Sequence, residues 1–201
     1  MVRVLLAEDM PMLRRALVAL LELQEDITVV AEVGSGDGIL PKALEVRPDV
    51  AVLDIDLPGM DGISAAALLR DALPQCRTVI LTSLGRPGNL RRALLAGACG
   101  FLLKDADPDQ LACAIRDVAA GRQVIDPQLA VATLQAGEGP LTVREAEVLR
   151  RAADGEEVPE IARALFLSSG TVRNYLATAV TKLGARNRMD AVRIAREAGW
   201  M

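Results

Sequence analysis

"VAVLDIDLPGMDG", residues 50–62, decides how the chain is read. Four apolar residues run straight into Asp54, and two more aspartates, a proline and two glycines follow within eight positions. A short apolar run bounded by turn residues marks a strand buried on both faces, and this one stops on a carboxylate. Similar runs recur through the first 105 residues: "VRVLLA" (2–7), "ITVVAEV" (27–33), "TVILT" (78–82) and "GFLL" (100–103). Between them lie stretches with helical spacing: Met12 to Leu23, Ile39 to Val46, Ile63 to Leu73, Leu90 to Ala96 and Asp109 to Ala120. Five alternations of strand and helix predict right-handed crossovers and a five-stranded parallel, doubly wound α/β sheet.

In such a sheet, ligands bind beyond the carboxyl ends of the strands. The first strand runs into Glu8 and Asp9, the third ends on Asp54, the fourth on Thr82 with Ser83 beside it, and the fifth on Lys104. All are expected on one edge. Carboxylates crowded there repel one another unless a cation compensates, and two acids with a backbone carbonyl suit Mg²⁺. A lysine and a hydroxyl beside an aspartate and Mg²⁺ make a site for a phosphoryl group, with Asp54 able to act as nucleophile and form an acyl phosphate. Within the quoted stretch, Pro58 and Gly59 make the turn and Asp61 caps the next helix, while Asp56 offers mainly its carbonyl.

Composition narrows the chemistry. Half of the 201 residues are apolar and a quarter charged, as in globular proteins, and the apolar runs are too short to span a membrane. The N-terminus lacks the pattern of a signal peptide, so a cytoplasmic location with no membrane partner is expected. There is no histidine, which removes His-based acid/base catalysis and Ser-His or Cys-His nucleophile pairs. Cys76, Cys99 and Cys113 read as reduced thiols. Residues 1–137 carry 13 basic and 18 acidic side chains, whereas residues 161–201 carry 7 basic and 2 acidic ones. An acidic body with a basic tail suggests two domains, the second with nucleic acid as its partner.

Residues 121–140 read as a linker with a short helix around Leu129 to Leu134. Beyond them the pattern is wholly helical. Thr142 and Glu145 form a capping box, and Gly155 ends that helix. A short helix fits Val158 to Leu165, "FLSSG" makes a turn, and Ser168 or Ser169 caps a longer helix from about Gly170 to Leu183. A last helix spans Met189 to Ala198. Four helices with a tight turn between the middle pair match a helix-turn-helix module. Val172, Leu176, Val180 and Leu183 form an inward stripe on the third of them. The opposite face carries Thr171, Asn174, Thr178 and Thr181, flanked by Arg173 and Lys182, a set suited to a DNA major groove; Ser169, Arg186 and Arg188 add candidate contacts.

"LLAEDM", "VAVLDIDLPGMDG", "VILTS" and "GFLLKD" together resemble the motifs of response-regulator receiver domains, and the helical tail resembles the LuxR-type helix-turn-helix. Joined, they are similar to the NarL/FixJ family of two-component regulators, with "GRPGNLRRALLAGACGFLLKDA" and "GTVRNYL" closest to DesR-type members. The resemblance implies a flavodoxin-like receiver domain over 1–121, a linker over 122–140 and an all-α DNA-binding domain over 141–201. It also implies a transcriptional regulator, not an enzyme, whose Asp54 is phosphorylated by a sensor histidine kinase. Mg²⁺ would be held by Asp9, Asp54 and the Asp56 carbonyl with Glu8 nearby. Thr82 and Phe101 would be paired switch residues, although Phe101 also reads as a plain core aromatic. Phosphorylation is expected to promote a homodimer that binds double-stranded operator DNA. Two departures stand out: Asp105 follows Lys104 where many members have proline, and Ala177 stands where members often carry a longer polar side chain. Two other readings remain. "DID" resembles the nucleophile motif of haloacid-dehalogenase-type phosphatases, and a receiver-based adaptor would use the tail to bind protein.

Overall fold

The computed structural model describes residues 1–83, 87–135, 139–198 and 200. Residues 136–138 of the expected linker, Gly85 and Arg86 of the DesR-like stretch, and Met201 lie outside the described residues. The chain divides into two compact units.

In the first unit, strands β1 (Val2–Ala7), β2 (Ile27–Val33), β3 (Val50–Asp54), β4 (Arg77–Thr82) and β5 (Gly100–Leu103) alternate with helices α1 (Pro11–Glu22), α2 (Ile39–Val46), α3 (Gly62–Ala72), α4 (Pro87–Leu95) and α5 (Pro108–Ala119). A two-residue strand, β6 (Val124–Ile125), then pairs with β5 and precedes α6 (Pro127–Gln135). The sheet is parallel throughout, in the order β2-β1-β3-β4-β5-β6. The expected sheet of five strands is therefore six. Residues 124 and 125 are too short a run to announce a strand, and they become one because β5 offers an open edge after the α5 crossover.

Alternation along the strands splits the apolar residues between two faces. Ala51 and Leu53 of β3 join Leu5, Ile80 and Phe101 under α2, α3 and α4, with Ile39, Ile63, Leu69 and Leu90. Val50 and Val52 join Val4, Leu6, Val79 and Leu102 under α1 and α5, with Leu21, Leu111 and Ile115. All five residues of β3 are buried, so Asp54 emerges from the middle of the sheet with helices on both sides. Each such leucine or valine contributes roughly 1.5–3 kcal/mol on burial.

The second unit holds α7 (Val143–Ala153), α8 (Val158–Ala164), α9 (Ser169–Lys182) and α10 (Arg188–Ala198). The Thr142–Glu145 capping box forms with both reciprocal hydrogen bonds, and Ser168, not Ser169, caps α9 by accepting from the Thr171 N–H. Val148, Leu149, Ile161, Val172, Leu176, Ala179, Ala191 and Ala195 make the core. Val180 and Leu183, expected on the inward stripe of α9, are only half-buried, and the small Ala179 takes the deeper place. Trp200 packs against this core beside Gly139.

Candidate functional site

β1, β3 and β5 bring Glu8, Asp54 and Lys104 to one edge of the sheet. Glu8 is fully buried and Asp54 is 1 % exposed. The Lys104 ammonium lies 2.8 Å from Glu8 Oε2 and 2.8 Å from Asp54 Oδ2. Glu8, Asp9 and Asp54 each present an oxygen within 4.8 Å of the others, with Asp9 exposed at the rim. Burial is the largest influence on Glu8 and raises its pKa; the neighbouring Asp54 also raises it, and the bond from Lys104 only partly offsets them. Burial pushes Lys104 down, but its pairing with Asp54 and Glu8 outweighs that and leaves its pKa raised. The lysine therefore stays charged between two acids.

Local structure fixes the nucleophile's surroundings. The Ile55 N–H donates to the Leu81 carbonyl, and the Gly62 N–H donates to the Ile55 carbonyl, folding the loop after β3 back on itself. A Cβ at Gly62 would overlap the Asp54 carbonyl oxygen, so α3 can start this close only with glycine there. Asp61 caps α3 by accepting from the N–H groups of Ile63 and Ser64 at 3.0 and 2.9 Å. The Asp56 side chain is exposed. Thr82 ends β4, is 1 % exposed, and its carbonyl accepts from the Lys104 N–H at 2.8 Å. Phe101 is buried on β5 among the residues under α3 and α4, so its ring already lies inward.

One residue here escaped the sequence reading. Arg14 of α1 donates to the Glu8 carbonyl at 2.5 Å and lies 3.5 Å from Glu32, which ties the turn after β1 in place. Nothing in the spacing of α1 separates it from an ordinary surface arginine.

On α9, Arg173, Asn174, Ala177, Thr178 and Thr181 are exposed along one face, opposite buried Val172, Leu176 and Ala179. The side chains of Arg173 and Asn174 hold no hydrogen bond or ion pair among the described residues. Thr181 donates back to the Ala177 carbonyl. The other candidates differ in exposure and partners. Ser169 is half-buried, and Thr171 exchanges a hydroxyl hydrogen bond with Ser168. Lys182 pairs with buried Glu145 at 2.8 Å, Arg186 bonds Asp190, and Arg188 is half-buried at the start of α10. Glu145 had been legible only as a capping residue. Burial opposes its charge, but the bonds from Lys182 and Thr142 prevail and lower its pKa.

Sequence comparison places these two units in known families. Residues 4–116 match the response regulator receiver domain, and residues 139–195 match the bacterial regulatory proteins of the luxR family. The chain belongs to the NarL/FixJ family of two-component response regulators, transcriptional regulators that join a receiver to a LuxR-type helix-turn-helix. It is 42% identical over 200 residues to the transcriptional regulatory protein DesR of Bacillus subtilis, covering 100% of this chain and 99% of that one. It is 44% identical over 202 residues to the response regulator RamR of Streptomyces coelicolor, covering 100% and 98%. Among solved structures it resembles the response regulator ChrA of a heme-sensing two-component system, at 36% identity, a TM-score of 0.60 and coverage of 100% and 98%. It also resembles the response regulator RcsB in a DNA complex, at 26% identity, a TM-score of 0.69 and coverage of 98% of each chain. The phosphatase and adaptor readings give way to a regulator of transcription. No helix among the described residues is long and apolar enough to cross a membrane.

Proposed function

We propose that a sensor histidine kinase phosphorylates Asp54 and that the phosphorylated chain dimerises on operator DNA in the cytoplasm. The receiver is assigned to residues 1–121, the linker to 122–140 and the DNA-binding domain to 141–201. The observation that carries this reading is the Lys104 ammonium held 2.8 Å from both Glu8 and Asp54 at the carboxyl edge of the sheet, in a chain that also carries a helix-turn-helix. An Asp54 carboxylate oxygen attacks the phosphorus of the kinase phosphohistidine. The new O–P bond forms as the P–N bond breaks, and the imidazole nitrogen keeps the electron pair. Lys104 then faces the added negative charge, and Thr82, at the end of the adjacent strand, donates to a phosphoryl oxygen. Inward-lying Phe101 fills the space behind Thr82 and favours that hydroxyl position.

The donor set fits Mg²⁺. Three carboxylates against one ammonium leave two negative charges, and the buried Asp54 Oδ1 has no hydrogen-bond partner. Oxygen donors of this kind suit a small divalent cation. Asp9, Asp54 and the Asp56 carbonyl would hold it, with Glu8 serving Lys104. When bound, it neutralises charge on the incoming phosphoryl group. An apolar cleft between α1 and α5, lined by Leu13, Leu17, Leu20, Leu102 and Leu111, with exposed Met12 on α1 and exposed Leu23 just after it, supports that face as the dimer surface. Cleft and site share a wall at Lys104. On DNA, Arg173 and Asn174 read base edges while Thr178 and Thr181 meet the backbone or thymine methyls.

Incubation with acetyl phosphate and Mg²⁺, followed by intact-mass measurement, tests the phosphoacceptor. One phosphoryl group is expected on the wild-type chain and none on Asp54→Asn. Genomic footprinting of the same pair tests the switch: occupancy that does not depend on Asp54 defeats it.

A further inference from the structure

Among the described residues, five helices end in the same hydrogen-bonded turn. After α4, α5, α7 and α9, the N–H groups of Gly97, Gly121, Gly155 and Gly184 each donate back three residues. In each case the next residue's N–H donates back five. All four glycines have positive φ, as this Schellman turn requires. After α8 the same pair forms, from Phe166 to the Arg163 carbonyl and from Leu167 to the Ala162 carbonyl, but the left-handed position, at φ +56°, holds phenylalanine. A bulky side chain is disfavoured there, and packing does not explain it, because Phe166 is 97% exposed. The chain has four aromatic residues and presents one of them to solvent at a position that favours glycine.

The place of this ring identifies what covers it. Phe166 lies two residues before Ser168, the cap of α9, in the turn that leads into that helix. From Ile161 to Met189 the chain carries five cations and no carboxylate; Lys182 and Arg186 pair with Glu145 and Asp190, which leaves Arg163, Arg173 and Arg188 without an ion pair among the described residues. Exposed Arg163 lies on one side in sequence and Arg173 on the other. A surface with this charge meets a polyanion. An aromatic ring within it finds apolar surface on the deoxyribose edges and thymine methyls of a duplex.

We propose that Phe166 is a DNA contact, its ring closing on the duplex beside the end of α9 and extending the interface beyond the recognition face. This rests on the DNA-binding reading of α9. The strained turn holds the ring outward before the duplex arrives, so less conformational freedom is lost on binding.

The test uses full-length protein and a duplex enriched by the wild-type chain from a random-sequence pool. Phe166→Gly relieves the left-handed strain, so its melting temperature is expected to equal or exceed that of wild type while affinity falls about 10-fold. Phe166→Tyr keeps the ring and binds within about twofold of wild type. The salt dependence of Phe166→Gly stays unchanged, because the ring carries no charge, whereas Arg173→Ala weakens binding and relaxes base preference at one position. Wild-type affinity in Phe166→Gly, with Arg173→Ala weakened, overturns this inference and leaves the recognition helix standing. Wild-type affinity in both variants overturns the two together. A fall in melting temperature alongside weakened binding assigns Phe166 a structural role instead.

Discussion

The acidic edge of the sheet and the outer face of α9 deal with charge in opposite ways. At the edge, Glu8 and Asp54 are buried and share the one ammonium of Lys104. On α9, Arg173 and Asn174 stand in solvent with no partner among the described residues. The first arrangement costs desolvation, which is offset only while the opposing charges stay in place, and it suits a small ligand of fixed geometry. The second costs almost nothing until a duplex arrives, and it suits a large partner whose phosphates supply the missing countercharge. Lys182 shows how little sequence separates the two: it lies next to Thr181 on the same helix, yet it is spent on Glu145 within its own unit.

The largest effect expected from breaking this contrast comes from Lys104→Met. It leaves two adjacent buried carboxylates unneutralised and should cost about 3–5 kcal/mol of receiver stability in urea unfolding. Adding Glu8→Gln should recover part of the loss, and an unchanged midpoint in Lys104→Met would show that the pair is not what holds the edge together.

Next comes Arg173→Ala, which should weaken binding to an enriched duplex by about 10- to 100-fold, relax base preference at one position, and leave the unfolding midpoint in place. Titrations of the enriched duplex and its single-base variants measure both quantities. Lys182→Ala sharpens the comparison from within one helix. Its expected cost is about 1 kcal/mol of stability in the helical unit, with a smaller loss of affinity than Arg173→Ala. The reverse pattern would return Lys182 to the DNA face.

The smallest effect is acidic. The Arg186 backbone N–H, and then Arg193, draw Asp190 down from 3.8 to about 2. Because the folded-state value lies below the unfolded one, this group stabilises the fold above about pH 4 and loses that contribution as pH falls through about 2. Asp190→Asn should therefore flatten the acid limb of the helical unit's unfolding midpoint, and parallel acid limbs in the two proteins would count against it.

Much of the acidic edge was legible because a parallel sheet converts chain order into place. Once "VAVL" and its sister runs are read as strands joined by helices, Glu8, Asp54, Thr82 and Lys104 must share an edge, whatever the loops between them do. The capping box at Thr142 and the cap at Asp61 were legible for a related reason, since both act across three residues. The strand at residues 124 and 125 was not, because its formation depends on an open neighbour and not on its own residues. Nor was the inward-lying ring of Phe101, whose surroundings come from four separate elements.

By itself, then, the sequence determined the βα alternation, the meeting of three acids with a lysine, and the polar face of a capped helix, since each follows from spacing along a regular backbone. Only the tertiary structure decided which cations remain open. Glu145 lies 37 residues before Lys182 and takes that charge through the packing of α7 on α9. It also decided that Phe166 closes a turn that, among the described residues, four other helices close with glycine. A side chain's partner depends on what the fold brings near it, and its direction on the backbone angle the fold imposes; neither is a local property of the residue.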